Sequence, residues 1–192
     1  HVVLAVDRAG LVGEDGETHH GVFDVGFLRQ APGMTVLCPG STAELQDMLS
    51  WAIYGQNGPV AIRYPRGTDG TYHASAWSNA SDVSQQGAAC LHRPGEKVML
   101  VTYGSLLDNA LEAAELLSQH GLDAGVLRLL TVAPLPVQKV ADALGAGTRV
   151  IILEEVCRGS GVAQELAWQL NRLRPDCRVD CLDLGHRFIP HG

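Results

Sequence analysis

The chain has 192 residues, 46% of them hydrophobic, and a formal charge of −7 at neutral pH. That acidic balance argues against a nucleic-acid or anionic-membrane surface, which needs clustered Lys and Arg, so a phosphate bound here has to be met by local groups. Five scattered cysteines (Cys38, Cys90, Cys157, Cys177 and Cys181) without metal-ligand spacing indicate neither a disulfide framework nor a zinc site and fit a reduced, cytoplasmic setting, and no stretch reaches the roughly 20 apolar residues of a bilayer span.

In chain order, residues 2–6 form an apolar run that reads as a buried strand. It delivers residues 7–21, a polar, glycine-rich segment holding Arg8, four acidic side chains, His19 and His20. In open α/β sheets ligands bind at such carboxyl ends of strands. Residues 22–30 suit a short helix and 34–38 a buried strand. Ser41-Thr42-Ala43-Glu44 has the form of a capping box, so a helix is expected from there until Gly55 ends it. The next strand, 60–64, leads into Pro65-Arg66-Gly67, a second polar loop at a strand end.

Residues 73–94, rich in Ser, Asn, Gln, Gly and Ala, read as an interdomain linker, with a short strand conceivable within 83–91. Beyond it the pattern alternates regularly: strand 97–102, helix 105–119, strand 124–129, a turn through 131–136, helix 137–144, strand 149–153, a helix opened by Gly159-Ser160-Gly161, and strand 178–182. Single helices between strands imply right-handed crossovers. The expectation is an α/β fold: a first domain over residues 1–72 and a doubly wound, mostly parallel-sheet domain over 95–192.

Arg8 and Arg66 each leave the end of a strand, and two guanidinium groups match a phosphate; each also has carboxylates nearby to pair with, and spacing leaves both readings open. His19 and His20 are adjacent, so at most one of them is expected to face a ligand. Asp15-Gly16 reads first as a turn. Gly159-Ser160-Gly161 is read as a tight strand-to-helix turn rather than an anion site, and Glu154-Glu155 as a solvated loop rather than an acid/base pair.

Three stretches carry more than pattern. Asp7-Arg8-Ala9-Gly10-Leu11-Val12-Gly13 with Asp15-Gly16, Thr18-His19 and Gly21, then Tyr64-Pro65-Arg66-Gly67, then Arg187-Phe188-Ile189-Pro190-His191-Gly192, together resemble the 1-deoxy-D-xylulose-5-phosphate synthase family, thiamine-diphosphate enzymes of the transketolase group. The resemblance covers essentially the whole chain. It implies that residues 1–72 are the later part of a transketolase-type pyrimidine-binding domain and 95–192 the transketolase C-terminal domain without its last helix.

In this family pyruvate is decarboxylated on thiamine diphosphate and the two-carbon unit adds to D-glyceraldehyde 3-phosphate, the first step of the non-mevalonate isoprenoid pathway. The resemblance implies that Arg8 and Arg66 hold the acceptor's phosphate, and that Asp15 and His19 contact the substrates near the reacting carbon, with His19 the catalytic candidate. It gives no role to His20. It further implies Mg²⁺ beside thiamine diphosphate, with the main ligands of both outside this sequence, and a homodimeric whole enzyme. The opening at His1, inside a strand and without a methionine, reads as a C-terminal fragment that is inactive alone. The competing readings are a non-catalytic dimerisation module and the small subunit of a split enzyme.

Overall fold

The computed structural model describes residues 1–77 and 83–192. The first sheet contains β1 (Val2–Val6), β2 (Thr35–Leu37), β3 (Pro59–Arg63) and, from later in the chain, β7 (Thr131–Ala133), in the order β1-β3-β2-β7. β3 runs parallel to both β1 and β2, and β7 is antiparallel to β2. The second sheet has the order β4-β6-β5-β8-β9, built from β4 (Ala89–Arg93), β5 (Val98–Tyr103), β6 (Ala124–Leu129), β8 (Arg149–Leu153) and β9 (Arg178–Leu182). Only β4 is antiparallel there. The α/β class and the mostly parallel second sheet are thus as expected.

The helices fall where the apolar spacing places them. α1 (Asp24–Leu28) follows the polar loop, and α2 (Thr42–Tyr54) starts at Ser41, whose Oγ accepts the Glu44 N–H at 3.2 Å. The capping box is offset by one residue, because Glu44 turns back to the N–H of Gly40 at 2.7 Å. α4 (Leu107–Gln119) is entered through a 3-10 turn at Gly104–Leu106, and α5 (Val137–Asp142) and α6 (Ala163–Leu173) complete the crossovers.

Three expectations are corrected. Among the described residues β1 pairs with β3 alone, which leaves Val2, Leu4 and Ala5 exposed in this chain instead of buried. The stretch read as linker contains a helical turn, α3 (Val83–Gln86), and β4, whose alternation Ala-Cys-Leu-His-Arg is interrupted by a bulge against β6; residues 78–82 of that stretch lie outside the described residues. The 131–136 segment supplies β7, so the second half of the chain reaches back to finish the first sheet. One apolar core consequently runs through both halves, joining Val25, Leu28, Val36 and Ala61 to Val132, Val140, Val162 and Leu166.

Candidate functional site

β1 ends at Val6, and the chain turns at Arg8, whose φ of 58° lies in the left-handed region. For a bulky residue this conformation costs about 1–3 kcal/mol and persists where surrounding contacts impose it. The contacts are here: the Ala9 N–H donates to Tyr64 O at 3.0 Å, Gly10 and Gly21 exchange backbone hydrogen bonds at 2.9 Å, and the Gly21 N–H also reaches Arg8 O at 2.9 Å. A Cβ at Gly21 would overlap the Arg8 carbonyl, so a glycine is required at this crossing. Residues 10–21 therefore leave and re-enter at one closed base, directly above the end of β3.

Inside the loop, the Val12 carbonyl accepts the N–H groups of Asp15 (3.0 Å) and Gly16 (3.1 Å). This turn aims the Asp15 carboxylate between both arginines. Arg8 Nε donates to Asp15 Oδ2 at 2.7 Å, and Arg66 Nη1 donates to Oδ1 of the same group. The hydrogen bond from Arg8, assisted by Arg66, holds the Asp15 carboxyl below the usual aspartate range. Asp7 and Glu14 complete the cluster on Arg8 (2.5 Å) and Arg66 (3.2 Å) from exposed positions. Arg8, Asp15 and Arg66 thus meet, and the pairing of the arginines with carboxylates is what the structure contains. His19 is exposed on the same loop, its Nδ1 2.9 Å from Thr18 Oγ1.

His20 points the other way. It is buried, and its Nδ1 accepts the Val12 N–H at 2.9 Å. Nε2, which carries the proton in that tautomer, has no partner in the structure. The two neighbouring histidines are separated as alternation requires.

Beneath the loop lies a buried ionic layer that sequence reasoning missed. Arg63 Nε donates to Asp24 Oδ2 at 2.7 Å and its Nη2 to Gly21 O at 2.7 Å, while the guanidinium lies 5.8 Å over the Tyr103 ring. Tyr103 in turn donates to Glu154 Oε2 at 3.1 Å. Glu154 is buried, and its carboxylate also accepts the N–H groups of Val162 (2.9 Å) and Ala163 (3.3 Å) at the start of α6, so it occupies the donors that Gly159-Ser160-Gly161 leads into. Glu155 is half-buried and lies so close to Gly10 that a Cβ there would overlap it. The expectation of a solvated loop at 154–155 is overturned, because Glu154 turns inward to backbone N–H groups at the start of α6 and Glu155 packs against Gly10. Arginine within an otherwise apolar strand run, as at Arg63 and Arg128, was the available signal: a charge there requires a partner.

Tyr64, Pro65 and residues 67–70, on either side of Arg66, wall a cavity of about 450 Å³ closed by Ser105, Asp108 and Asn109, which Arg66 itself does not line. Asp69 accepts the Thr42 N–H at 2.8 Å, and Asp108 accepts the N–H groups of Thr71 (2.9 Å) and Tyr72 (3.1 Å). The segment after Arg66 is thereby tied to the starts of both α2 and α4. Among the described residues, no group of three or more His, Cys, Asp or Glu is placed to hold a metal ion, and no helix is long and apolar enough to cross a membrane.

A three-strand parallel β1-β3-β2 unit with a polar site at its strand ends, followed by a mostly parallel second sheet, defines a transketolase-type pair of units. Family models agree: residues 1–69 match the transketolase pyrimidine-binding domain and 87–192 the transketolase C-terminal domain, and the chain belongs to the transketolase family. Curated proteins named 1-deoxy-D-xylulose-5-phosphate synthase match along all of it, at 41% identity in Gloeobacter violaceus and 38% in Chlorobaculum tepidum. The chain spans 30% of the length of these relatives. Among solved structures, a "Split gene transketolase, inactive beta4 tetramer" superposes with a TM-score of 0.79 at 24% identity, over 97% of this chain and 58% of the other. A transketolase mutant from Pichia stipitis gives 0.72 at 19% identity, over 99% and 26%.

Proposed function

We propose that this chain is the acceptor-side part of a 1-deoxy-D-xylulose-5-phosphate synthase, which joins pyruvate, decarboxylated on thiamine diphosphate, to D-glyceraldehyde 3-phosphate. The observation that carries the reading is the single carboxylate of Asp15 shared by Arg8 and Arg66. It holds two guanidinium groups side by side at adjoining strand ends, each with N–H groups left for a phosphate. Asp7 and Glu14 are exposed partners whose pairs are worth about 0–1 kcal/mol, so a dianion can displace them. Fixing the acceptor by its phosphate is a positioning effect, which can supply several kcal/mol of a two-substrate addition. His19, exposed on the same loop, is then the group that meets the reacting end of the substrates and holds or moves a proton there.

In this proposal residues 1–72 form part of the pyrimidine-binding domain, and the C-terminal domain includes β4, so it begins before residue 95. Among the described residues no group of three or more His, Cys, Asp or Glu is placed to hold a metal ion, and the proposal uses Arg8 and Arg66 for the acceptor's phosphate. The main ligands of thiamine diphosphate and Mg²⁺ are accordingly assigned to the remainder of the enzyme, and residues 1–192 alone are expected to be inactive. A homodimer is supported by the large apolar side chains left exposed on α6, Trp168 and Leu173, and a cytoplasmic setting by five free cysteines.

The test is Arg66→Ala in the whole enzyme. Losing a charged hydrogen-bond donor of about 1.5–3 kcal/mol raises the KM for glyceraldehyde 3-phosphate by about 10- to 100-fold. The KM for pyruvate should stay within about twofold, because uniform binding of the other substrate is untouched. Equal changes in both would remove the phosphate assignment.

A further inference from the structure

We propose that His20 is a positioning residue for the acceptor site: through the Val12 N–H it fixes the turn that holds Asp15 between Arg8 and Arg66. The connection is continuous. His20 Nδ1 accepts from Val12 N at 2.9 Å. The carbonyl of the same residue accepts from Asp15 N at 3.0 Å and Gly16 N at 3.1 Å, and the Asp15 carboxylate takes one hydrogen bond from each arginine. His20 itself cannot shift freely, because the next residue, Gly21, is locked to Arg8 and Gly10 by backbone hydrogen bonds at 2.9 Å.

The opposite side of the turn is braced from the second half of the chain. Glu155, just beyond β8, packs so closely against Gly10 that a Cβ there would overlap its carboxylate. The turn is therefore held by an imidazole of the loop and braced by a side chain that follows β8, with His20 buried and Glu155 half-buried.

The inference rests on the acceptor-phosphate reading of Arg8 and Arg66, and two readouts on the whole enzyme keep the two apart. His20→Leu removes the acceptor for Val12, whereas His20→Asn offers its side-chain oxygen near the place of Nδ1. Amide hydrogen exchange over residues 11–16 should be about tenfold faster in His20→Leu, as expected for one lost hydrogen bond, and return toward wild type in His20→Asn. The KM for glyceraldehyde 3-phosphate should rise about tenfold in His20→Leu and recover in His20→Asn, with the KM for pyruvate unchanged. Unchanged exchange in His20→Leu overturns the inference, as does an equal loss in both variants. Faster exchange without a change in the acceptor KM, while Arg66→Ala still raises it, overturns the positioning role. Faster exchange with neither kinetic effect supports the clamp and overturns the phosphate reading instead.

Discussion

Arg128 on β6 grips Glu44 on α2 with both ends of its guanidinium, Nη1 to Oε2 at 2.5 Å and Nη2 to Oε1 at 2.7 Å, and both side chains are fully buried. The pair ties the two halves of the chain together. The Glu44 carboxylate also accepts the N–H groups of Gly40 and Ala76, and Tyr72 lies under the guanidinium at 5.1 Å. Every oxygen of the carboxylate is thus satisfied, the condition under which a buried ion pair is retained without a large penalty.

Breaking that pair from either side has unequal consequences. Glu44→Gln strands a guanidinium that cannot lose its proton, with an expected destabilisation of about 3–5 kcal/mol. Arg128→Met leaves a carboxyl group that can take up a proton and keeps two of its backbone donors, so the loss is smaller. Urea midpoints of the two variants check the order. A Glu44→Gln protein as stable as Arg128→Met would show that the pair does not carry the interface.

Glu155 gives a pH signature. Burial pushes its carboxyl above the usual glutamate value of 4.5, against the pull of Arg63. A group whose folded pKa is raised binds more protons folded than unfolded, so its contribution is present in full below the unfolded value and is lost as pH rises through the folded one. Glu155→Gln keeps the size of the side chain and does not titrate. The Tm of the variant should therefore gain on wild type as pH rises from about 4 to about 7, a window set by the carboxylate reference. A difference that stays constant or narrows across that window would refute the assignment.

Much of the strand and helix order could be read from the chain, because alternation and spacing are local properties: the Ser41 cap, the β3 run into Pro65 and the crossovers after Lys97 all form where their residues predict. Of the candidate site, Arg8 and Arg66 stand out as charges on glycine-rich strand ends and Asp15 as a turn residue, and the structure brings the three together. What escaped was long-range. β7 joining the first sheet, Glu44 meeting Arg128 across 84 positions, and Glu155 reaching Gly10 depend on how the two halves pack, and no local periodicity encodes that. His20 was indistinguishable from His19 until the closed base at Gly21 turned one inward.

That closed base is itself testable by two glycines of opposite kind. At Gly21 an added Cβ meets the backbone carbonyl of Arg8, which cannot rotate aside. At Gly33, with φ of 75°, nothing lies within 4 Å, so alanine meets only the left-handed backbone penalty of about 1–2 kcal/mol. Gly21→Ala should lower the Tm more than Gly33→Ala and raise the acceptor KM, while Gly33→Ala leaves kinetics unchanged. If both variants keep wild-type kinetics, the base does not govern the site.

The carboxylates around the two arginines should act in opposite senses, and exposure decides the sign. Asp15 is the sheltered one, its side chain 18% exposed and bonded to both guanidinium groups; that of Glu14 is 85% exposed and touches Arg66 alone. Asp15→Asn puts amide N–H donors against arginine donors, so one or both guanidinium groups swing away and the KM for glyceraldehyde 3-phosphate rises about tenfold, the scale of one charged hydrogen bond. On the acceptor-phosphate reading proposed above, Glu14→Gln removes only a competitor for Arg66, an exposed pair worth about 0.2–1 kcal/mol, so the same KM falls about two- to threefold. Added salt should shrink the Glu14 effect, since exposed charges are screened, and leave most of the Asp15 effect, which comes from hydrogen-bond geometry. Measuring both variants at low and high ionic strength separates the roles: a rise in KM for Glu14→Gln, or a fall for Asp15→Asn, would mean that the guanidinium groups are not the phosphate's partners.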